Sequence, residues 1–382
     1  MFKNAGTKSL VTQAAVLMLV ILAIALVGRS LFQNLSARGI PLGFDFLFVP
    51  AGFNMSETVL PYSPSTDPYW WAAVVGLVNT LYLSLIVIAL STVLGTLVAI
   101  GRLGSNILAN GICRVWVEVA RNTPPIILLF LIYSMWWKLL PQIDAAWEIG
   151  PNVFVSLRGL VFPRVSVDLP NFFYALFLVA LAATYVARRL AVAKLEASGH
   201  RPPYVPIAFL LSAVALVLYI NVSNINMVID IPKRDNGFFT GGAELSPEFS
   251  SIVIGLTIYT TGFVAEIVRG GILAIPKGQW EASRAVGLSE WKILRLVVLP
   301  QTLRIILPPM NSQYINVLKN STLAIAIGYM DFLTVMQTII NTSSHAIEGT
   351  LIILGVYLVV NLSLSTLMNR WNNRLLKRGR QA

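Results

Sequence analysis

Long apolar segments alternate with polar segments along most of the chain. A helix needs about 20 residues to cross a hydrocarbon layer about 30 Å thick, and eight stretches reach or approach that length. The pattern therefore predicts an all-α polytopic membrane protein with about eight transmembrane helices. Since the fourth stretch is the shortest, seven spans are the alternative. The predicted spans cover residues 10–27, 75–100, 115–139, 171–187, 204–222, 250–269, 303–328 and 349–369.

The composition agrees with a membrane protein. Of the 382 residues, 56% are hydrophobic and 12% are charged, and the mean hydropathy is +0.73, whereas soluble domains carry about 25% charged residues. A soluble globular enzyme is therefore excluded. Cys113 is the single cysteine and the chain has two histidines, so the sequence predicts neither an intrachain disulfide nor a metal site.

The 28 basic residues are distributed unequally between alternate loops. If the N-terminus lies in the cytoplasm, 20 of them face the cytoplasm, 7 face the outside, and Lys319 lies within a span. Positive residues are retained on the cytoplasmic side, so we expect both termini there. The net charge of +11 then belongs to a membrane face that contacts lipid, and no nucleic-acid site is predicted. For residues 10–27, a cleaved signal peptide is the alternative to a first span.

The segment 275–309 is more polar than a tight turn requires. Pro276 is placed to begin a short helix, and Gly287 is placed to end it in the left-handed conformation. Ser289 then caps a second helix that stops at Pro300. The residues alone leave open whether this segment docks a partner or lies on the membrane surface as an amphipathic helix.

The predicted span 303–328 carries a polar stripe around Lys319. A charge within the bilayer costs several kcal/mol, about 2.5–3.5 on insertion scales, unless it is paired or hydrated. At 100° per residue, the polar residues near Lys319 fall within one third of the helix circumference. Such a stripe either lines a substrate path or joins helices by hydrogen bonds. The candidates for the path are Gln313, Asn316, Lys319, Asn320 and Ser321.

Two further groups of polar residues lie near the inner ends of predicted spans. Glu266 is expected to pair with Arg269 at i,i+3 or to line an inner gate. Pro124 and Pro125 predict a helix break, at which Arg121, Asn122 and Thr123 either cap the next helix or contact substrate. We treat these groups as gate or structural candidates.

The sequence also bears on what energy source the protein uses and on whether the chain is a catalyst. The chain has no phosphate-binding loop of the GxxxxGK[ST] type, so energy must come from a partner or from an ion gradient. An ion-driven secondary amino-acid transporter predicts inverted repeats and intramembrane carboxylates, and a membrane enzyme predicts clustered acids or histidines. Neither pattern is found, and we expect no catalytic residue and no cofactor in this chain.

The segment Glu281-Ala-Ser-Arg-Ala-Val-Gly287, followed by nine residues and Val297-Val-Leu-Pro300, resembles the signature of ABC importer permeases. Ser283 replaces an alanine of that signature and Val297 an isoleucine. The resemblance implies that this loop, residues 275–300, forms the coupling helix that docks on a separate ATPase, which binds the ATP and magnesium. The residues implied in coupling are Glu281, Ala282, Ser283, Gly287, Leu299 and Pro300.

Other segments resemble the amino-acid subclass of these permeases, the histidine, glutamate and glutamine group. They begin at Ala265, at Ala120 and at Leu318. The resemblance implies a type I, MetI-like core of five helices near 75–100, 115–139, 250–269, 303–328 and 349–369. The extra N-terminal span and the inserted helices 171–187 and 204–222 are similar to the longer permeases of general L-amino-acid systems. The domains expected are 1–70, 71–370 and a basic cytoplasmic tail, 371–382.

The resemblance thus implies a permease subunit, not an enzyme, that moves L-amino acids across a bacterial inner membrane. The partners implied are ATP-binding cassette ATPase subunits, a second and homologous permease, and a periplasmic amino-acid-binding protein. It also favours the substrate path over helix association for the stripe around Lys319. An ABC permease for another small polar solute is the remaining alternative.

Overall fold

The structure is a computed structural model that describes residues 7–37, 43–167, 171–198, 202–222, 227–235 and 237–378. Most of these residues are helical. The helices are α1 (Thr7–Ala37), α2 (Tyr69–Leu103), α3 (Ile107–Asn122), α4 (Pro125–Leu139), α5 (Asn171–Ser198), α6 (Tyr204–Val222), α7 (Pro247–Leu273), α8 (Lys277–Ala285), α9 (Glu290–Ile293), α10 (Leu299–Asn320), α11 (Phe332–Ser343) and α12 (Ala346–Arg378).

The predicted helical, polytopic class is confirmed, and each predicted stretch lies largely on helical residues. By length and apolar composition, five of the described helical segments can cross a membrane, and the bent pair α3 and α4 is a sixth if it forms one span. The inserted stretches 171–187 and 204–222 lie on α5 and α6, and the part Tyr204–Ala215 of α6 is a further apolar helical segment. The five segments are Thr12–Ser30, Tyr69–Leu103, Pro247–Leu273, Glu290–Ile327 and Ala346–Arg370.

The chain divides into two compact units. One contains residues 1–139 and 246–382, and the other contains residues 140–245. In the first unit α7 is the central helix, since it contacts α2, α3, α4 and α10. Val264 and Ala265 of α7 are fully buried against Ala99 of α2 and Val117 of α3. Gly95 of α2 allows this approach, because a Cβ there would lie 2.5 Å from Cγ1 of Val264.

A second core joins α2 to α11 and to the segment before α2. Phe332 and Val335 of α11 are buried with Tyr69 of α2 and with Phe46. Asp331 caps α11, because its Oδ1 accepts a hydrogen bond of 2.8 Å from the Thr334 amide. The sequence analysis did not predict α11, a 12-residue helix that is too short to cross a membrane.

The predicted span 115–139 is broken in its middle. Helix α3 ends at Asn122, α4 begins at Pro125, and the two are bent by 108°. Thr123 between them is extended, with φ −99° and ψ 125°. The residue before a proline disfavours the helical conformation, and consecutive prolines remove two backbone donors. The break expected at Pro124 and Pro125 is therefore confirmed.

The helix expected to stop at Pro300 instead continues through it. A π-helical turn, Leu294–Val298, joins α9 to α10, and Pro300 lies in the first turn of α10. Pro300 has no backbone N–H to donate to the preceding turn, and the wider π-helical turn lies directly before it. After α10, a 3-10 helix, Ser321–Ile327, ends at Gly328 with φ +82°.

The second unit contains short strands together with α5 and α6. A four-stranded antiparallel sheet has the order β1-β2-β3-β8, and the pairs β4-β5 and β6-β7 form separate ribbons. Strands of three or four residues are too short to show a clear alternation of apolar and polar residues, so they could not be predicted from the sequence. The strands are β1 (Trp147–Gly150), β2 (Val153–Ser156), β3 (Gly159–Phe162), β4 (Arg164–Val167), β5 (Met227–Asp230), β6 (Lys233–Asp235), β7 (Phe238–Thr240) and β8 (Ala243–Leu245).

Candidate functional site

The loop 275–300 is organised around the end of α8. Gly287 has φ +79°, and its amide donates to the Arg284 carbonyl at 2.9 Å. The Leu288 amide donates to the Ser283 carbonyl at 3.2 Å. This pair of hydrogen bonds is a Schellman motif, which ends a helix with a left-handed residue. The left-handed cap expected at Gly287 is therefore confirmed, and α8 begins directly after Pro276.

A small apolar core holds this loop together. Ile275, Ile293 and Val298 are buried, with Trp280 and Leu288 packed against them. Ser283 is buried, and its hydroxyl donates to the Gln279 carbonyl at 2.6 Å. These contacts fix the loop from within the chain.

The outer surface of α8 carries the predicted coupling residues. Glu281 and Ala282 are exposed, so neither is used in holding the loop together. Arg284 joins α8 to α9 by an ion pair, since its Nε lies 2.8 Å from Oε1 of Glu290. Ser289 occupies the position before α9, but its side chain makes no capping hydrogen bond, so the side-chain cap predicted there is wrong. The exposed surface of α8 is thus available to a partner.

The last two predicted coupling residues lie in the first turn of α10. Leu299 is half exposed at the start of α10, where it lines a cleft below the ends of α2 and α7. Pro300 is exposed in the first turn of α10. The second end of the signature thus lies at the start of α10, where the neighbouring Gln301 donates a side-chain hydrogen bond of 3.3 Å to Oε1 of Gln279 in α8.

The polar stripe of α10 lies on one face of the helix. Asn316 and Lys319 are exposed, while Gln313 and Asn320 are half-buried. Lys319 forms no ion pair with any of the described residues. The opposite face of α10 carries the buried residues Met310, Val317 and Leu318. The stripe is therefore turned away from the core of this chain.

Two serines near the stripe differ from expectation. Ser312 is exposed and follows the same face four residues before Asn316, although sequence analysis did not include it. Ser321, a predicted path residue, is fully buried, and its hydroxyl donates to the Leu318 carbonyl at 2.8 Å. A helical period that stopped at Gln313 missed Ser312. Ser321 lies four residues after the buried Val317, on the same inward face of the helix.

The carboxylate of Glu266 joins two helices near their ends. Arg269 lies 3.2 Å from it, which confirms the expected i,i+3 pair. Arg102 of α2 also forms a hydrogen-bonded ion pair with Glu266. The pairing with Arg102 could not be predicted from the sequence, because 164 positions separate Arg102 from Glu266 and no helical period connects them. Glu266 and Lys319 are not brought together as an ion pair.

The residues at the break between α3 and α4 have separate environments. The guanidinium of Arg121 lies over the ring of Phe263, 5.6 Å from its centroid. Asn122 ends α3, and Pro124 accepts hydrogen bonds from the first amides of α4 through its carbonyl. Among the described residues, no hydrogen bond connects the side chains of Asn122 or Thr123 to α4. The backbone of Pro124, not those side chains, begins the second helix.

Comparisons with known proteins agree with this arrangement. The family described as "Binding-protein-dependent transport system inner membrane component" matches residues 91–378. The chain is 39% identical over 348 residues to the general L-amino acid transport system permease protein AapQ of Rhizobium johnstonii, covering 90% of this chain and 86% of that protein. It is 34% identical over 379 residues to the putative amino-acid ABC transporter permease protein YhdX of Escherichia coli, covering 98% and 95% of the two chains.

A third relative is of similar length. The chain is 33% identical to the glutamate/glutamine/aspartate/asparagine transport system permease protein BztB of Rhodobacter capsulatus, and the match covers 96% of this chain and 93% of that protein. The helical fold and the loop 275–300 define a polytopic permease. The chain belongs to the family of binding-protein-dependent transport system inner membrane components. It is a non-enzymatic subunit of an ABC importer, in which a separate subunit hydrolyses ATP.

Proposed function

We propose that this chain carries L-amino acids through the inner membrane as one half of the permease of its importer. The observation that carries this proposal is the 39% identity, over 90% of this chain, to a permease named for general L-amino acid transport. The second relative is named as an amino-acid ABC permease and the third for four amino acids. A broad amino-acid range is the substrate class that these names support.

Coupling to the ATPase takes place on the exposed surface of α8. Glu281 and Ala282 contact the ATPase, and Gly287 sets the angle at which the chain leaves α8. The Schellman motif at Gly287 and the buried core around Ile293 support this role, because a rigid loop can transmit a displacement to α10. Leu299 and Pro300 transmit that displacement from within the chain.

The substrate path runs along the polar face of α10. Lys319 supplies a cation for the carboxylate of the amino acid, and Gln313, Asn316 and Asn320 supply donors and acceptors along the same face. The exposure of Asn316 and Lys319 supports this assignment, since a charge within a bilayer requires a partner or water. Because the stripe is turned away from the core of this chain, the opposite wall of the path comes from a second, homologous permease.

The remaining partners and the orientation follow from the same proposal. A periplasmic amino-acid-binding protein delivers the substrate, two ATPase subunits bind the cytoplasmic loops, and both termini lie in the cytoplasm. The groups at Arg121 and Glu266 lie at the inner ends of the helices and form part of an inner gate. The contact of Glu266 with both Arg102 and Arg269 supports this role, because it joins α2 to α7.

The test is amino-acid uptake by the reconstituted importer, expressed per assembled complex. We expect Lys319→Gln to abolish uptake, because it keeps a polar side chain but loses the attraction for the carboxylate, and Lys319→Met to do the same. Lys233→Gln, which removes an exposed cation from strand β6, is the matched control and should transport normally. Normal uptake per complex in Lys319→Gln would overturn the assignment. Loss of assembly, with normal activity in the complex that remains, would instead show that the stripe joins helices.

A further inference from the structure

A large apolar cleft lies beside the loop 275–300. Its volume is about 1040 Å³, just above the range of about 300–1,000 Å³ for ligand pockets. The walls come from the ends of α2 and α7 and from the start of α10, and they include Leu103, Ile272 and Leu303. The loop itself closes one end of the cleft through Trp280 and Trp291.

The same loop contributes two cations to the lining of the cleft. Lys277 of α8 and Arg295 of the π-helical turn line the cleft and are exposed. Neither forms an ion pair with any residue in the described part of the chain. The nearby carboxylate of Glu290 is paired with Arg284 instead. The cleft therefore has a positive end and an apolar interior.

A buried hydroxyl without a partner lies further inside. Thr302 lines the cleft and is 2% exposed, and its Oγ1 has no hydrogen-bond partner among the described residues. A buried polar group without a partner costs about 1–3 kcal/mol. Thr302 follows Arg295 by seven residues, about 10 Å along a helix at 1.5 Å per residue. A ligand here would thus meet cations first, then a hydrogen-bond donor, then an apolar wall.

We propose that this cleft binds one anionic phospholipid of the inner leaflet. Lys277 and Arg295 bind the phosphate, the Thr302 hydroxyl donates to an ester oxygen, and the acyl chains pack along Leu103 and Ile272. The placement in that leaflet depends on the proposed function, which puts the loop 275–300 in the cytoplasm. Basic pockets between helices on the cytoplasmic side bind anionic headgroups, and tryptophan is enriched at this depth of a membrane.

The polarity of the cleft favours a lipid over a protein partner. An ATPase docks from water and would leave the deep aliphatic walls uncovered, and it would face Thr302 only through a long insertion. A phospholipid has its anion, its esters and its chains in the order in which the cleft presents cations, hydroxyl and aliphatic walls. Because the lipid lies between the loop and the helix ends, movement of the loop must displace or deform it.

The experiment counts lipids that remain bound to the purified importer complex. The complex is delipidated in detergent, titrated with phosphatidylglycerol or phosphatidylcholine, and examined by native mass spectrometry. We expect the wild-type complex to bind phosphatidylglycerol about tenfold or more tightly than phosphatidylcholine. Lys277→Gln with Arg295→Gln should remove this preference, and Thr302→Val should weaken binding of both lipids.

The matched control is Lys292→Gln with Arg304→Gln. These two exposed residues carry the same charge on the same predicted side of the membrane but do not line the cleft, so the preference should persist. An unchanged preference after Lys277→Gln with Arg295→Gln would overturn the proposal. So would loss of the ATPase from that variant with lipid binding intact, because the cleft would then dock a protein.

Amino-acid uptake by the same wild-type preparations separates this inference from the proposed function. If the wild-type complex takes up amino acids and Lys277→Gln with Arg295→Gln removes the preference for phosphatidylglycerol, both proposals are supported. Uptake with no selective lipid overturns the lipid site alone. Selective lipid binding by a complex that imports no amino acid overturns the proposed substrate and leaves the lipid site supported.

Discussion

Gly287 adopts a backbone conformation that residues with a Cβ rarely adopt. Its φ is +79°, and a Cβ built there meets no atom within 4 Å. The cost of Gly287→Ala is therefore backbone strain, about 1–2 kcal/mol, and not a steric clash. We expect this strain to loosen the end of α8 and to reduce the ATPase activity that the binding protein stimulates in the reconstituted complex.

Gly278 is the matched control for this prediction. It lies in the same helix, also with nothing within 4 Å of a built Cβ, and its φ is not positive. Gly278→Ala should keep normal stimulation, since alanine is favoured in a helix. Equal stimulation in the two variants would show that the left-handed cap does not contribute to coupling.

Asp331 is a buried carboxyl outside the predicted spans. It is 0% exposed, and its Oδ2 has no hydrogen-bond partner among the described residues. Burial raises the pKa of Asp331 from 3.8 to about 6, although the hydrogen bonds from Thr334 oppose this change. In the folded state the group thus binds its proton more tightly than in the unfolded state, and stability falls as pH rises from about 4 to 6.

We expect Asp331→Asn to remove this dependence while keeping the cap on α11, because asparagine also caps helices. The two pKa values differ by about 2, which corresponds to about 3 kcal/mol. The measurement is the melting temperature of the detergent-solubilised chain between pH 4 and pH 7. The difference in melting temperature between Asp331→Asn and wild type should grow in favour of the variant across that interval. A constant difference would contradict the prediction, and Asp331→Ala controls for loss of the cap.

The packing of α2 on α7 depends on glycine at the contact. Gly95 faces Val264, and the ideal Cβ position is 2.5 Å from Cγ1 and 2.6 Å from Cβ of that valine. Overpacking of this kind costs about 1–3 kcal/mol. We therefore expect Gly95→Ala to lower the melting temperature by several degrees.

Gly355 of α12 offers the corresponding control, because a built Cβ meets nothing within 4 Å and the residue is exposed. Gly355→Ala should leave the melting temperature unchanged or raise it slightly. Similar melting temperatures for Gly95→Ala and Gly355→Ala would show that the helices separate at little cost.

Among the helices, the sequence could predict those features that depend on residues close together in the chain. The bounds of α6 match the predicted stretch 204–222, and Pro124 and Pro125 marked the break between α3 and α4. The sequence could not predict that the helix passes Pro300. The π-helical turn before Pro300 lies where Ile293 and Val298 pack into the core of the loop. The pair of Glu266 with Arg102 was equally hidden, because only the fold brings α2 beside α7.

At the scale of the whole molecule, the distribution of charge determines the expected orientation. Of the 28 basic residues, 20 are assigned to the cytoplasm and 7 to the outside. The proposed sites for the ATPase and for the lipid both require α8 on the cytoplasmic side. The same count assigns the basic residues of the predicted loops before and after the inserted helices, such as Arg158 and Lys233, to the outside.

Cysteine labelling in intact cells tests this orientation. In a Cys113→Ser background, which removes the single native cysteine, we introduce Thr240→Cys in β7 and Ala285→Cys in α8; both positions are exposed. A membrane-impermeant maleimide should label the first variant from outside and should label the second only after the membrane is permeabilised. Met55→Cys is a second outer position. Labelling of Ala285→Cys in intact cells would reverse the orientation, and with it the assignment of α8 to the ATPase and of the apolar cleft to the inner leaflet.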